Sequence, residues 1–392
     1  MSPEIAYRQS HTEMKIKTIH TESVSGFKEQ FRRITDAGFS PSLAILFISV
    51  ELDIREISGF LKEQGVPAFG SSSCGEFLFD QNRQHITEGG LVCALCDPHP
   101  GHFQLHAFGR NGQGYHALGA EVGTWALSRF DRPSLFILAS GLRTDGEQLV
   151  RGITGKTGTA MPLYGGLAGD DARFTETFVF TGDGLLNDGV VALALDTRFF
   201  EVRGLATSGW VGIGAEKTVT RSEGNIVFTI DHEPALDVYI NYLNVHESQL
   251  PQIGVEYPLL LKKNGANDVL RAVINVDTEQ RSMVFAGSVP EGSRVSFSSS
   301  PGFEIIESTR RKIQEFYPLA AETDLLLLFS CMARHMALGP SISEEISEAW
   351  NHWQKPLMGF FTYGEIGGNF MAACDFHNET FTLASIREKD HA

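Results

Sequence analysis

The chemistry-bearing residues of this chain cluster just after three apolar runs that each end in serine: LAILFIS to Ser49, LFILAS to Ser140 and LLLLFS to Ser330. After the third run come Cys331, Arg334 and His335, which bring a thiol, a guanidinium and an imidazole within five residues. Glu51 and Arg143 hold comparable places after the first two runs. A guanidinium there can clamp a carboxylate or phosphate. A neutral imidazole can ligate iron, and His335 and His377 are the two candidates. The alternative for each arginine is a surface or interdomain ion pair, and for each histidine a hydrogen-bonded structural role. A thiolate nucleophile at Cys331 or Cys74 would need a nearby cation, which Arg334 or His335 could supply.

Other arrangements carry less chemistry. Cys93 and Cys96 form Cys-x-x-Cys on an apolar run, where residues three apart face opposite sides, so packing is expected. His102 and His106 are spaced to share a face, but no third metal ligand accompanies them. Gly155-Lys156-Thr157 resembles the end of a phosphate-binding loop, yet position 150 is Val and the stretch follows a helix, which excludes nucleotide hydrolysis. No nucleophile elbow, zinc-protease pair or dinucleotide fingerprint occurs, so the chain is expected not to be an enzyme.

The elements that must position these residues form a repeat. Pro67-AF-Gly70-SSSC-Gly75-Glu76, Pro162-LY-Gly165-GLA-Gly169-Asp170 and Pro356-LM-Gly359-FFTY-Gly364-Glu365 share one pattern. The acids Glu76, Asp170 and Glu365 either accept hydrogen bonds within their turns or anchor a ligand, and threefold repetition favours the structural role. Each copy follows an apolar strand and a helical stretch: Asp53 to Gln64, Asp145 to Gly155, and Ser343 to Trp353. Asp53, Asp145 and Ser343 are the expected N-caps. Upstream lie helical patterns at Glu22 to Ala37, Tyr115 to Phe130 and Phe303 to Tyr317. Alternating segments precede them at Met14 to Ile19, Phe103 to Phe108 and Arg294 to Ser298. Strand pairs such as Gly90-LVCALC-Asp97 and Gly189-VVALAL-Asp196 follow, with Phe381-TLASI as the third. The fold class is therefore α/β, with mixed-sheet repeats of about β-α-β-α-β-β-β. A strand-rich insertion, about Arg203 to Glu291, is expected between the second and third copies. The halves would divide as residues 1–198 and 199–392. In such sheets ligands collect beyond the carboxyl ends of the strands.

Composition excludes several classes. The 392 residues carry 32 Lys and Arg against 48 Asp and Glu, a formal net charge of −16, which repels nucleic acid and anionic lipid. Apolar runs are strand-length, so no membrane insertion is expected. The N-terminal stretch reads as no secretory signal and five scattered cysteines as reduced thiols, which together predict a cytoplasmic protein.

Val66-PAFGSSSCGEF, Met161-PLYGGLAGDDARFTETFVF with Gly189-VVALAL, and Gly359-FFTYGEIG with Phe376-HNETFTL together resemble the FIST family (F-box and intracellular signal transduction) over nearly the whole chain. The resemblance implies a FIST N sensory domain, 1–198, and a FIST C domain, 199–392. It further implies a stand-alone bacterial member of the kind that binds heme b and nitric oxide and regulates a partner histidine kinase or other output protein. Cys331, Arg334, Tyr363 and His377 match family positions; the family pattern does not assign the iron ligand, and His335 and His377 are taken as alternative iron ligands from cleft position and local motif. A homodimer is compatible with this reading. The competing expectation is a sensor without heme, in which Arg334 binds an amino-acid-like carboxylate.

Overall fold

A computed structural model describes residues 13–250, 252–263, 268–300, 302, 304–369 and 373–389. The N-terminal stretch 1–12 and Phe303, part of the readings above, lie outside them. The apolar runs form strands buried on both faces, as continuous hydrophobic sequence requires: Leu43–Ile48, Pro133–Ala139 and Leu325–Cys331. Each is the heart of a six-stranded mixed sheet with one plan. An antiparallel neighbour lies on one side (Leu91–Cys96, Gly189–Asp196 or Phe381–Glu388). A parallel neighbour lies on the other (Ala68–Ser72, Leu163–Leu167 or Leu357–Thr362). The parallel pairs are joined through helices Ile54–Glu63, Gly146–Thr157 and Ile342–Trp353. Asp53 and Asp145 cap the first two, accepting from the amides of Glu56 and Gln148 at 3.0 Å. Ser343 does not cap the third, which starts at Ile342; its hydroxyl bonds the Pro340 carbonyl.

Beyond each parallel pair, the sheet is finished by a hairpin from elsewhere in the chain. The strand Ala68–Ser72 pairs with Val179–Thr181. Leu163–Leu167 pairs with Glu365–Gly367, and Leu357–Thr362 with Glu76–Asp80. The glycines of the Pro-x-x-Gly pattern sit on these parallel strands because nothing larger fits. A Cβ at Gly165 would lie 1.9 Å from the Ile137 carbonyl oxygen, and one at Gly359 would lie 1.8 Å from that of Leu328.

The three sheets turn one face each into a shared core containing Phe47, Phe136, Phe329 and Phe360. The other faces carry helix pairs, with Val24–Asp36, Tyr115–Arg129 and Glu304–Phe316 as second members. Cys93 and Cys96 point to different cores, as the pleat demands.

The first strand of the third sheet is Phe200–Thr207, paired with Phe381–Glu388. Arg294–Ser299, expected in that place, instead pairs with Val211–Glu223 in a separate eight-stranded sheet. The extra sheet thus leaves the chain after Thr207 and returns before Glu304, between a strand and its following helix. No described helix is long and apolar enough to cross a membrane.

Candidate functional site

The carboxyl end of Leu43–Ile48 opens into a cavity of about 470 Å³. Its walls come from several places. Glu51 follows the first apolar strand, Glu88 and Gly89 lie in the turn between Arg83–Thr87 of the third sheet and Leu91–Cys96 of the first, and Cys74 with Asp171 to Arg173 come from the first two Gly-acid turns. Met332, His335 and Met336 come from a short helix, Met332–Leu338, that continues directly from the third apolar run. Spacings of three and four residues put these three side chains on one helical face.

Asp171 locks the loop to the strand end. Its Oδ2 accepts from the Ser49 hydroxyl at 2.7 Å and the Val50 amide at 3.1 Å. Its Oδ1 is buried with no hydrogen-bond partner among the described residues. Burial raises this carboxyl above its ordinary value, against the pull of the Ser49 bond. Arg173 pairs with Glu51 at 2.5 Å. The loop itself is strained: Asp171, Ala172 and Phe174 all take positive φ, 54°, 57° and 52°. Asp170 holds it there, accepting from the amides of Phe174, Thr175 and Glu176 at 3.0, 2.6 and 3.0 Å and from the Tyr363 hydroxyl.

His335 is half-buried and stacked on Phe361, ring centroids 4.0 Å apart. Desolvation lowers its basicity and favours the neutral imidazole. Tyr363 stands behind this wall, stacked on Phe174 at 5.1 Å and hydrogen-bonded to the Cys74 thiol. Burial pushes that thiol up to about 11.

The other sequence candidates lie elsewhere. Arg334 is fully buried and all five of its N–H donors are engaged. Nε bonds Glu345 Oε2 at 2.8 Å, and Nη2 bonds the Thr309 hydroxyl at 3.0 Å and Glu345 Oε1. Nη1 bonds the carbonyls of Glu379, at 3.1 Å, and Ser208. The guanidinium also lies 5.4 Å from the Trp210 ring. No donor is left for a ligand carboxylate, which corrects the carboxylate-clamp expectation. Cys331 belongs to the same knot, its thiol pushed well up by burial. Neither Cys74 nor Cys331 is therefore poised as a thiolate nucleophile. Glu365 accepts from the Thr362 hydroxyl and the Thr380 amide, and burial pushes it up to about 8.

His377 lines a different cavity, of about 130 Å³. Its Nε2 lies 3.0 Å from the Gly367 carbonyl oxygen, so that nitrogen carries the proton. Desolvation lowers it to about 4. Arg143 is exposed, and Lys156 lies in the last turn of its helix, away from any phosphate loop. His102 stacks on Phe199 and His106 on Trp125, so the two do not act together. Among the described residues no three His, Cys, Asp or Glu side chains are spaced to hold a metal ion.

The structure thus brings His335 together with Glu51 and Cys74 and leaves Arg334, Cys331 and His377 outside the cavity. Sequence reasoning missed Glu88, Asp171, Arg173 and the two methionines. Met332 and Met336 flank His335 at helical spacing, a signal that was there to be used.

Residues 42–233 match the model of the FIST N domain and residues 235–368 that of the FIST C domain. No curated protein matches the chain.

Proposed function

Because this chain belongs to the FIST family, whose domains are signal-transduction sensors, we propose that the His335 cavity is its sensory site, with heme b as the bound group, nitric oxide as the signal and a histidine kinase as the output partner. The observation that carries this reading is a neutral imidazole in a strand-end cavity of about 470 Å³. Ligand pockets span ~300–1,000 Å³. The space around His377, about 130 Å³, is too small for a macrocycle, so His335 is the residue that would hold the iron. When bound, heme iron supplies the coordination position that takes a diatomic gas.

The chain's own residues prepare the site. Phe361 fixes the plane of the His335 ring, and desolvation keeps a ring nitrogen unprotonated. Met332 and Met336 offer polarisable surface to a macrocycle. Arg173 stands where it could exchange Glu51 for a propionate. The same helix that presents His335 contributes Ala337 and Leu338 to a cluster with Trp210, Leu270 and Ile305, at the root of the eight-stranded sheet. A pull on the imidazole would therefore be felt where the extra sheet joins the body.

The test is the visible spectrum of protein supplied with hemin, in ferric, ferrous and nitric-oxide-exposed states. A stoichiometric Soret band that shifts with the gas, survives His377→Ala and is lost or displaced in His335→Ala is expected. Protein that stays colourless with hemin overturns the heme reading.

A further inference from the structure

The short helix that presents His335 sets two thioethers beside the imidazole. Met332, His335 and Met336 span roughly 100° of the helix circumference, and all three line the same cavity. Packing does not account for the set. A methionine that fills a core gap is enclosed, whereas Met336 is 55% exposed and Met332 is only partly buried, at the margin of the third sheet's apolar cluster. His335 makes no hydrogen bond to a described residue, and neither ring nitrogen is sealed from solvent. Its ring is positioned by the stack on Phe361, which leaves a nitrogen lone pair available. A heme reading uses the imidazole and gives the sulfur atoms no bond to make.

We infer that Met332, His335 and Met336 form a binding site for a soft monovalent cation, copper(I), held by two thioether sulfurs and one imidazole nitrogen. This goes beyond the heme reading and does not require it; the two guests share His335 and therefore exclude one another. Thioether sulfur is a neutral, polarisable donor that suits copper(I), while calcium and magnesium take oxygen and zinc takes thiolate, imidazole or carboxylate. Helix neighbours three and four apart have Cβ atoms about 5–6 Å from one another, so three flexible side chains can converge on one ion. Neutral donors leave its charge uncancelled, and the carboxylates of Glu88 and Asp171 on the same cavity answer it at longer range. The Cys74 thiol on that cavity is already hydrogen-bonded to Tyr363, and burial keeps it protonated, so it is left out of the ligand set.

The full chain without heme is titrated anaerobically with copper(I), kept reduced by ascorbate, against the chromophoric chelator bicinchoninate. One equivalent should bind, and excess zinc should not displace it. Met332→Leu and Met336→Leu keep the apolar bulk and remove the sulfur. Each, like His335→Ala, should weaken binding by at least the roughly tenfold that loss of an outer-shell partner costs a metal site. Met161→Leu, beside the second sheet's apolar cluster, should leave it unchanged. No uptake, undiminished uptake by the Met332 and Met336 variants, or equal loss with Met161→Leu overturns the site. Hemin uptake by the same proteins, read from the Soret band, separates the two readings. The leucine variants should still take up hemin, and copper-loaded parent protein should take it up more weakly. Unhindered hemin uptake by copper-loaded protein overturns the shared imidazole. Protein that binds copper(I) and never hemin supports the copper site and overturns the heme reading alone.

Discussion

Two strand ends in equivalent places of their sheets have opposite fates in this molecule. Leu43–Ile48 and Leu325–Cys331 occupy the same place in their sheets, each between an antiparallel and a parallel neighbour. Beyond the first is a cavity ringed by carboxylates, and beyond the second a guanidinium is packed against Glu345 with every donor used. One architecture thus yields a receptacle at one end and a plug at the other. An arginine in the right register converts the position from recognition to cohesion. Its location after an apolar run cannot tell these apart, because both uses want a cation near acids. Burial decides, and burial depends on what packs from the other side.

The comparison can be broken most forcefully at the plug. Arg334→Met should cost about 3–5 kcal/mol, since it strands Glu345 as a buried charge. Denaturant unfolding would measure it, and a loss below about 1 kcal/mol would show the knot to be loosely held. A combined Arg334→Met and Glu345→Leu variant should recover much of the loss.

Acidity sharpens the contrast next. Glu365 sits beside the plug with its carboxyl raised from 4.5 to about 8, so the fold holds a proton that the unfolded chain gives up. Its contribution is lost as pH rises from about 4.5 through about 8. His377 works at the other edge. Lowered from 6.5 to about 4, it removes stability as pH falls through that window. Thermal melts of Glu365→Gln should flatten the alkaline decline and leave the acid decline in place. An unchanged alkaline limb would assign it to another group.

The smallest effect is expected at the receptacle. His335→Ala gives up one ring stack on a half-buried side chain, worth about 0.5–1.5 kcal/mol. A melt nearly superimposable on the parent, combined with lost ligand uptake, would mark a site built for binding. A large drop would place His335 with the plug.

Much of the fold was legible because it is written in local periodicity. Strands buried on both faces read as unbroken apolar runs, and Asp53 and Asp145 announce their helices through short-range capping. Partner choice is not local, and there the reading failed. Phe200–Thr207 and Arg294–Ser299 have similar patterns, yet only the former joins the third sheet. The hairpin exchange leaves no trace in spacing at all. At the site, His335 could be found from its place after a strand, but Asp171 could not. Its role comes from a loop of left-handed residues that carries it to a strand end 121 positions away.

The exchanged hairpins also bear on how the molecule is made. The first sheet waits for Val179–Thr181 before its edge at Ala68–Ser72 is covered, and the hairpin at Glu76–Asp80 waits for Leu357–Thr362. A ribosome must therefore release nearly the whole chain before any of the three sheets that share the core, except the first, is complete. Contacts of such long sequence separation form slowly. Until then, the strand EFLFD is an open edge in search of a partner, and the growing chain is exposed to mispairing with its neighbours on the same message.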